Sequence, residues 1–532
     1  MPPLQEHSSI KLIRAWLGAR KPELIVLAGY LVTRVAYYYA GIRFQAFPIR
    51  EYWQFIDVRL MRFDLLRSLW YLHMQPPGFN LIIGLIVKLF PREYPVVCQL
   101  LYLGAGIGIT LGLMNLMRRF RIPDSLRVIL VLLFICNPGV VFYENFVIYE
   151  YLVLFLLVVA AILLFRFIET PTLGRSAAFF GSLLALVMLR NQFHLIWLCA
   201  ITLGLLWLAP RLRRQTLIGA APCLAIVLAL YVKNWILFGQ FTSSTWIGMT
   251  TAVVTSYHLR PDEADALVAS GAVSRLVRIP PFAPMKAYEG LIEMPGRVGI
   301  EVLDNAETSD GHPNYNALAY LRLHQLYLHQ SWEVLRRYPI TYARSFAIAW
   351  YAYFLPDSDL HSFDSMRNQV QSFDRWYSMA VFGQFRHASS RKDLRAMRDA
   401  GQRFSLVLYT GTFLIGLLPL LFVWGTRRLI ARKWRTKRPG AQELTLGFML
   451  FNILFVTLLS NTLSTFENNR YRFPLEGYYI CLAGALATGI VQRWRKSSGL
   501  APGWSGSAPN PTQSPSPLLE NPSNKLRASA RT

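Results

Sequence analysis

The chain has 532 residues, 53% of them hydrophobic and only 16% charged, with a formal net charge of +25 and a mean hydropathy of +0.31. So little charge excludes an ordinary soluble surface. The basic excess would suit nucleic acid, but many of these residues directly follow apolar runs of spanning length, the positive-inside pattern. Membrane lipids are therefore expected partners and nucleic acid is not. Cys98, Cys136, Cys199, Cys223 and Cys481 all fall in apolar runs, so no disulfide framework is expected.

In chain order, Lys11, Arg14, Arg20 and Lys21 precede the first span, residues 24–42, which places residues 1–23 in the cytoplasm. That span has no small-residue cleavage site and reads as an uncleaved anchor. The first loop, 43–77, then faces outward. It crowds Glu51, Asp57, Arg59, Arg62, Asp64, Arg67 and His73 among aromatics and closes on Gln75-Pro76-Pro77. Residues 78–90 are apolar but well short of the roughly 20 a bilayer needs, so a juxtamembrane helix is expected there.

The span 96–117 ends in Arg118, Arg119 and Arg121, a cytoplasmic signal. Residues 127–142 lead out and 147–167 lead back, with Asn137-Pro138, Glu144 and Glu150 at the outer turn. A pair over 176–210 carries Arg190 and His194 at its outer bend and Arg211, Arg213 and Arg214 at its inner end. The span 216–238 leaves Lys233 near the outer surface. Residues 239–402 form a long outer loop, irregular through Asn314. An amphipathic helix follows over 316–338, and a short apolar segment over 341–355 reads as interfacial or re-entrant. Spans over 404–424, 445–463 and 473–491 complete the bundle, and the Pro/Ser-rich tail 497–532 is expected to be disordered.

The stretch 367–403 is basic yet outside in this topology, which long translocated loops permit. The fold class predicted is an all-α integral membrane bundle of about ten helices. Its core is 24–238, its outer loop 239–402 and its C-terminal helices 403–496.

Four polar clusters share the outer face: Asp57 with its arginines, Glu144/Glu150, Arg190/His194/Lys233, and Glu467 through Arg472. Ionisable groups at membrane depth are costly and tend to serve function. A carboxylate there can take a proton from an attacking hydroxyl, and cations can hold a departing phosphate. Each group also has a plainer reading. Asp57 can pair with Arg59 or Arg62, Arg190 and Lys233 can snorkel, and His73 can be a structural hydrogen-bonder. Glu144 and Glu150 are not told apart. No Gly-rich phosphate loop or strand–helix alternation occurs, which favours a lipid-linked donor over a nucleotide sugar. No cofactor is expected, no metal-ligand spacing stands out, and a divalent metal is left open.

At Asp57, at His73-Met74-Gln75-Pro76-Pro77 and at Asn137-Pro138 followed by Glu150, the chain resembles the GT-C class of membrane glycosyltransferases. The nearest members in kind are the lipid A aminoarabinose transferases and protein O-mannosyltransferases. The resemblance covers roughly 24–239, with a looser match at Asn469 through Pro474. It implies transfer of a sugar from a polyprenyl-phosphate donor to a lipid, glycan or protein hydroxyl outside the inner membrane, with inversion. Asp57 would be the catalytic carboxylate, and Glu150, with Glu144 as rival, the second acid. Arg190, His194, Lys233, Arg470 and Arg472, with Arg62, His73 and Gln75, would contact substrate or lipid phosphate. Gln75 departs from the lysine that often precedes Pro-Pro in the class. The rival from another class is a lipid-linked oligosaccharide flippase, which needs ionisable groups near the midplane.

Overall fold

The computed structural model describes residues 20–385, 410–436 and 439–498. Lys11, Arg14, residues 386–403 of the stretch 367–403 and the tail beyond 498 lie outside the described residues. The described residues through Leu486 form one compact unit, which contains the sites discussed below, and those from Ala487 belong to a second.

Among the described residues the regular structure is helical, with isolated bridges at Gln45–Phe146 and Glu307–Pro313. The main helices are α1 (Lys21–Tyr39), α2 (Val58–Phe63), α3 (Gly78–Leu89), α4 (Tyr94–Arg119), α5 (Asp124–Cys136), α6 (Pro138–Glu144), α7 (Tyr149–Glu169), α8 (Leu173–Leu189) and α9 (Leu195–Leu208). They continue with α10 (Arg213–Phe238), α11 (Ile247–Val254), α12 (Leu318–Arg337), α13 (Pro339–Tyr353), α14 (Thr412–Thr436), α15 (Ala441–Leu463), α16 (Asn468–Arg472) and α17 (Glu476–Ser497).

Among the described residues six helical segments are long and apolar enough to cross a membrane: Tyr94–Arg119, Tyr149–Glu169, Pro210–Phe238, Thr412–Ala431, Ala441–Leu463 and Asn468–Ser497. Asp124–Cys136 with Pro138–Glu144 would make 7, although that pair is bent by 61°. The chain is thus a multi-pass membrane protein, and among the described residues six or seven of the about ten expected spans meet this length and composition. Part of the difference lies at 176–210. There the backbone leaves α8 at Arg190 in an extended conformation and restarts at Leu195, giving helices of 17 and 14 residues.

The two most enclosed spans, Tyr149–Glu169 and Ala441–Leu463, are each 67% buried and form the centre of the bundle. α7 packs on α4, α8 and α15. Its first turn is delivered by the break at Asn137-Pro138. Proline there has no N–H to leave unsatisfied, and the Asn137 side chain caps α6 by accepting from the Gly139 N–H at 2.9 Å. Every residue of α6 is buried, so the chain re-enters the protein at the level where Glu144 and Glu150 stand.

The short apolar segment after Pro77 forms the helix α3. Its neighbour in loop one is α2, and Asn80 ties them, donating to the Gln54 carbonyl at 2.9 Å and accepting from the Ile56 N–H at 2.9 Å. The amphipathic helix expected over 316–338 is α12, and the short segment near 341–355 is α13. The region expected to be irregular through Asn314 contains α11, which packs against α12.

At that crossing a Cβ on Gly248 would lie 1.7 Å from the His324 carbonyl oxygen, a backbone atom that cannot move aside cheaply. Gly248→Ala is therefore expected to destabilise the protein by about 1–3 kcal/mol through overpacking, read as a lowered thermal midpoint in detergent. An unchanged midpoint would mean that α11 and α12 are not packed this closely.

Candidate functional site

Three buried charge networks gather where the helices of one end of the bundle break. The first centres on Glu150 in the first turn of α7, where a negative charge complements the helix N-terminus. Glu150 is 0% exposed. Its Oε1 accepts from Arg470 Nε at 2.5 Å and lies 3.4 Å from Arg190 Nη2. Arg470 also reaches Glu467 at 3.3 Å and the Tyr149 hydroxyl at 3.4 Å. The Arg190 guanidinium carbon stands 4.6 Å from the Tyr471 ring centre and 4.9 Å from that of Tyr149, a cation–π sandwich. Yet Glu150 Oε2 and both terminal nitrogens of Arg190 are buried without a hydrogen-bond partner among the described residues.

A cavity of about 450 Å³ adjoins this cluster. The same two tyrosines, Tyr149 and Tyr471, line it, together with Gln75, Gln192, His194 and Ser460. Gln75 and Gln192 each bury an amide nitrogen without a partner. The cavity wall therefore carries unspent donors beside a charged cluster.

The second network holds Glu144, 1% exposed. Arg34 forks onto it, Nε to Oε1 at 2.8 Å and Nη2 to Oε2 at 2.7 Å, and the hydroxyls of Tyr30 and Tyr151 donate to Oε2 as well. Both oxygens of this carboxylate are fully engaged. The third network holds Arg472, which pairs with Asp357 at 2.6 Å and Glu476 at 2.7 Å and donates to the Tyr353 carbonyl at 2.5 Å. Residues two apart on a helix point to different sides, so Arg470 and Arg472 serve separate carboxylates.

The residues of loop one stand elsewhere. Asp57 is the N-cap of α2: Oδ1 accepts from the Arg59 N–H at 2.8 Å and from the Ser309 hydroxyl at 2.7 Å, and Oδ2 from the Ser309 N–H at 2.6 Å. It does not line the cavity. Phe55, Phe79 and Tyr149 link its loop to the Glu150 cluster by ring contacts of 5.2 and 5.4 Å. Arg59 pairs with Glu301, and Arg62 is exposed.

Lys233 donates to the carbonyls of Trp70 at 3.0 Å and Leu72 at 2.7 Å, fastening loop one to α10. His73 bonds the Asn316 carbonyl through Nε2 at 2.8 Å, which requires Nε2–H. Its Nδ1 then accepts from the Thr245 hydroxyl, also at 2.8 Å. Neither ring nitrogen is left for a ligand. Burial pushes the His73 pKa down to about 3 and that of His324 well below its ordinary value.

Arg34, Asp357, Glu476, Tyr149, Tyr471 and Ser309 were not among the expected site residues. Arg34 carried a readable signal, a lone cation inside an apolar run. Asp357 carried none, because its partner lies 115 residues away. Among the described residues no group of three or more His, Cys, Asp or Glu side chains is placed to hold a metal ion.

Two outcomes follow. Glu144→Gln leaves Arg34 buried without its counter-charge and should cost about 3–5 kcal/mol, measured by denaturant or thermal unfolding. The double change to Arg34→Met and Glu144→Met should recover much of that, and a double variant no more stable than the single one would sink the pairing argument. On acidification, unfolded histidine gains a proton near pH 6.5 while buried His73 and His324 stay neutral, so stability falls as pH drops below about 6.5, by up to about 1.4 kcal/mol per pH unit per histidine. His324 has no hydrogen bond to lose, so His324→Phe should flatten this acid slope, and an identical slope would exclude His324 as a source. Comparisons with protein-family models, curated proteins and solved structures gave no match to this chain.

Proposed function

We propose that this protein is an inner-membrane glycosyltransferase that takes a sugar from a polyprenyl-phosphate donor and passes it to a lipid, glycan or protein hydroxyl on the extracytoplasmic face. One observation carries the reading: a buried arginine, ion-paired at 3.4 Å with Glu150 but with neither terminal nitrogen hydrogen-bonded, beside a carboxylate with one oxygen lacking a hydrogen bond, next to a cavity. Leaving buried donors without hydrogen bonds costs about 1–3 kcal/mol each. A phosphate oxygen presented to Arg190 would relieve that cost, and the Arg190–Tyr149–Tyr471 sandwich keeps the guanidinium aimed while the site is empty.

In this reading Arg190, assisted by Arg470, takes the donor phosphate, and Gln75, Gln192 and His194 line the space for the sugar. Glu150 Oε2 accepts from a sugar hydroxyl; Glu144, saturated by Arg34, does not enter. The acceptor oxygen attacks the sugar C1, the C1–O bond to phosphate breaks, and its electron pair leaves with the polyprenyl phosphate. The developing negative charge strengthens the arginine contacts as the bond breaks. The acceptor proton goes to Asp57, which caps α2 outside the cavity, so this step requires loop one to close over the bound donor. The Ser309 hydroxyl already donates to Asp57 Oδ1, which is the bond an acceptor hydroxyl would make in its place once the Ser309 loop withdraws.

The test is transfer of labelled sugar from polyprenyl-phosphate sugars by the purified protein. Wild-type turnover should fall about a hundredfold or more in Asp57→Asn, and donor affinity should fall in Arg190→Gln with the fold intact by circular dichroism. Loss of turnover in Glu150→Gln with Asp57→Asn unaffected would move the base to Glu150. Absence of wild-type turnover across a panel of such donors would reject the transferase.

A further inference from the structure

At the other end of α7, about 30 Å away along its 21 residues, two features meet that the transferase reading does not use. The first is an open, polar pocket of about 590 Å³ walled by Arg118, Arg119, Arg121 and Arg211, with Glu169 and Glu443 as its acids. Both acids are engaged: Glu169 with Arg119 at 3.2 Å, and Glu443 accepting from the Gly440 N–H at 3.1 Å. Arg118 reaches Glu23 at 3.4 Å. Arg121 and Arg211 are exposed, and their side chains have no hydrogen bond or ion pair among the described residues.

The second feature is an apolar groove of about 560 Å³ between α9, α14 and α15, walled by Leu205, Leu208, Leu429, Ile430 and Phe448. Trp207, at its rim, is 70% exposed. The two spaces are continuous in their walls. Glu443 lines both, Pro210 of the groove precedes Arg211 of the pocket, and Pro439 of the groove precedes Gly440 of the pocket.

We propose that this is a binding site for one anionic phospholipid, with its phosphate between Arg121 and Arg211 and one acyl chain along the groove. A phosphodiester accepts charge-assisted bonds from guanidinium groups. Basic pockets between membrane helices suit anionic head groups, whereas a choline head group would add a cation to a pocket already short of anions. The groove explains why a lipid fits better than a free anion: an exposed apolar trough ends at the arginines. The site is separate from the donor cavity at the opposite helix ends, and its occupancy is read without any sugar transfer.

The experiment is native mass spectrometry of the delipidated, full-length protein titrated with phosphatidylglycerol, with phosphatidylcholine or glycerol 1-phosphate as competitor. One phosphatidylglycerol should bind. Affinity should fall at least about tenfold in Arg121→Gln/Arg211→Gln, which removes the charge. It should fall similarly in Gly204→Phe, because a Cβ on Gly204 meets nothing within 4 Å and the ring would project into the groove. Wild-type thermal midpoints for both variants without lipid would establish intact folds. Equal competition by phosphatidylcholine, displacement by the chainless phosphate, or unchanged affinity in either variant would overturn the proposal.

Discussion

A charge held out of water must be paired, and this constraint shapes one end of the helix bundle. Glu150, Glu144 and Asp357 are each removed from solvent, and each meets an arginine delivered from a distant part of the chain. The desolvation penalty of such groups is several kcal/mol per ion, so the partners must arrive with the fold. That requirement explains why the helices break where they do. The Asn137-Pro138 bend, the extended Arg190 and the short helix Asn468–Arg472 all turn the backbone at the level of the buried carboxylates.

The three networks differ in completeness, and that difference separates structure from chemistry. Glu144 and Arg472 sit among partners that satisfy them, and such closed sets rigidify a bundle. The Glu150–Arg190 pair is left incomplete beside a cavity, with its guanidinium steadied by two aromatic faces rather than by hydrogen bonds. A folded protein tolerates that deficit only where the rest of the structure enforces it, which is the usual condition of a binding site. Loop one braces the same end from outside. Asp57 and His73 bond to the long loop, and Lys233 ties the loop to α10, so loop one is a cross-linked cover and not a solvated tether.

Much of the architecture was legible in the sequence, because a bilayer imposes a simple rule: apolar runs become helices, and their basic flanks mark the ends. The short helix after Pro77 and the amphipathic helix Leu318–Arg337 were readable from length and period alone. Span number was less legible: the bend at Arg190 was expected, but the two helices it joins, of 17 and 14 residues, are shorter than full spans. The choice between Glu144 and Glu150 was illegible, because the two stand six residues apart in similar surroundings. What distinguishes them is Arg34 in the first helix against Arg470 near the last.

The sequence by itself determined that this is a helical, multi-pass membrane protein with its polar residues concentrated at helix ends. Local composition and the energetics of lipid suffice for that. Only the tertiary structure decided which carboxylate is saturated and which keeps an open oxygen, that His73 has no nitrogen to spare, and that Asp57 faces Ser309. These are outcomes of contacts between residues far apart in the chain, and no local pattern encodes the distance at which two such side chains come to rest.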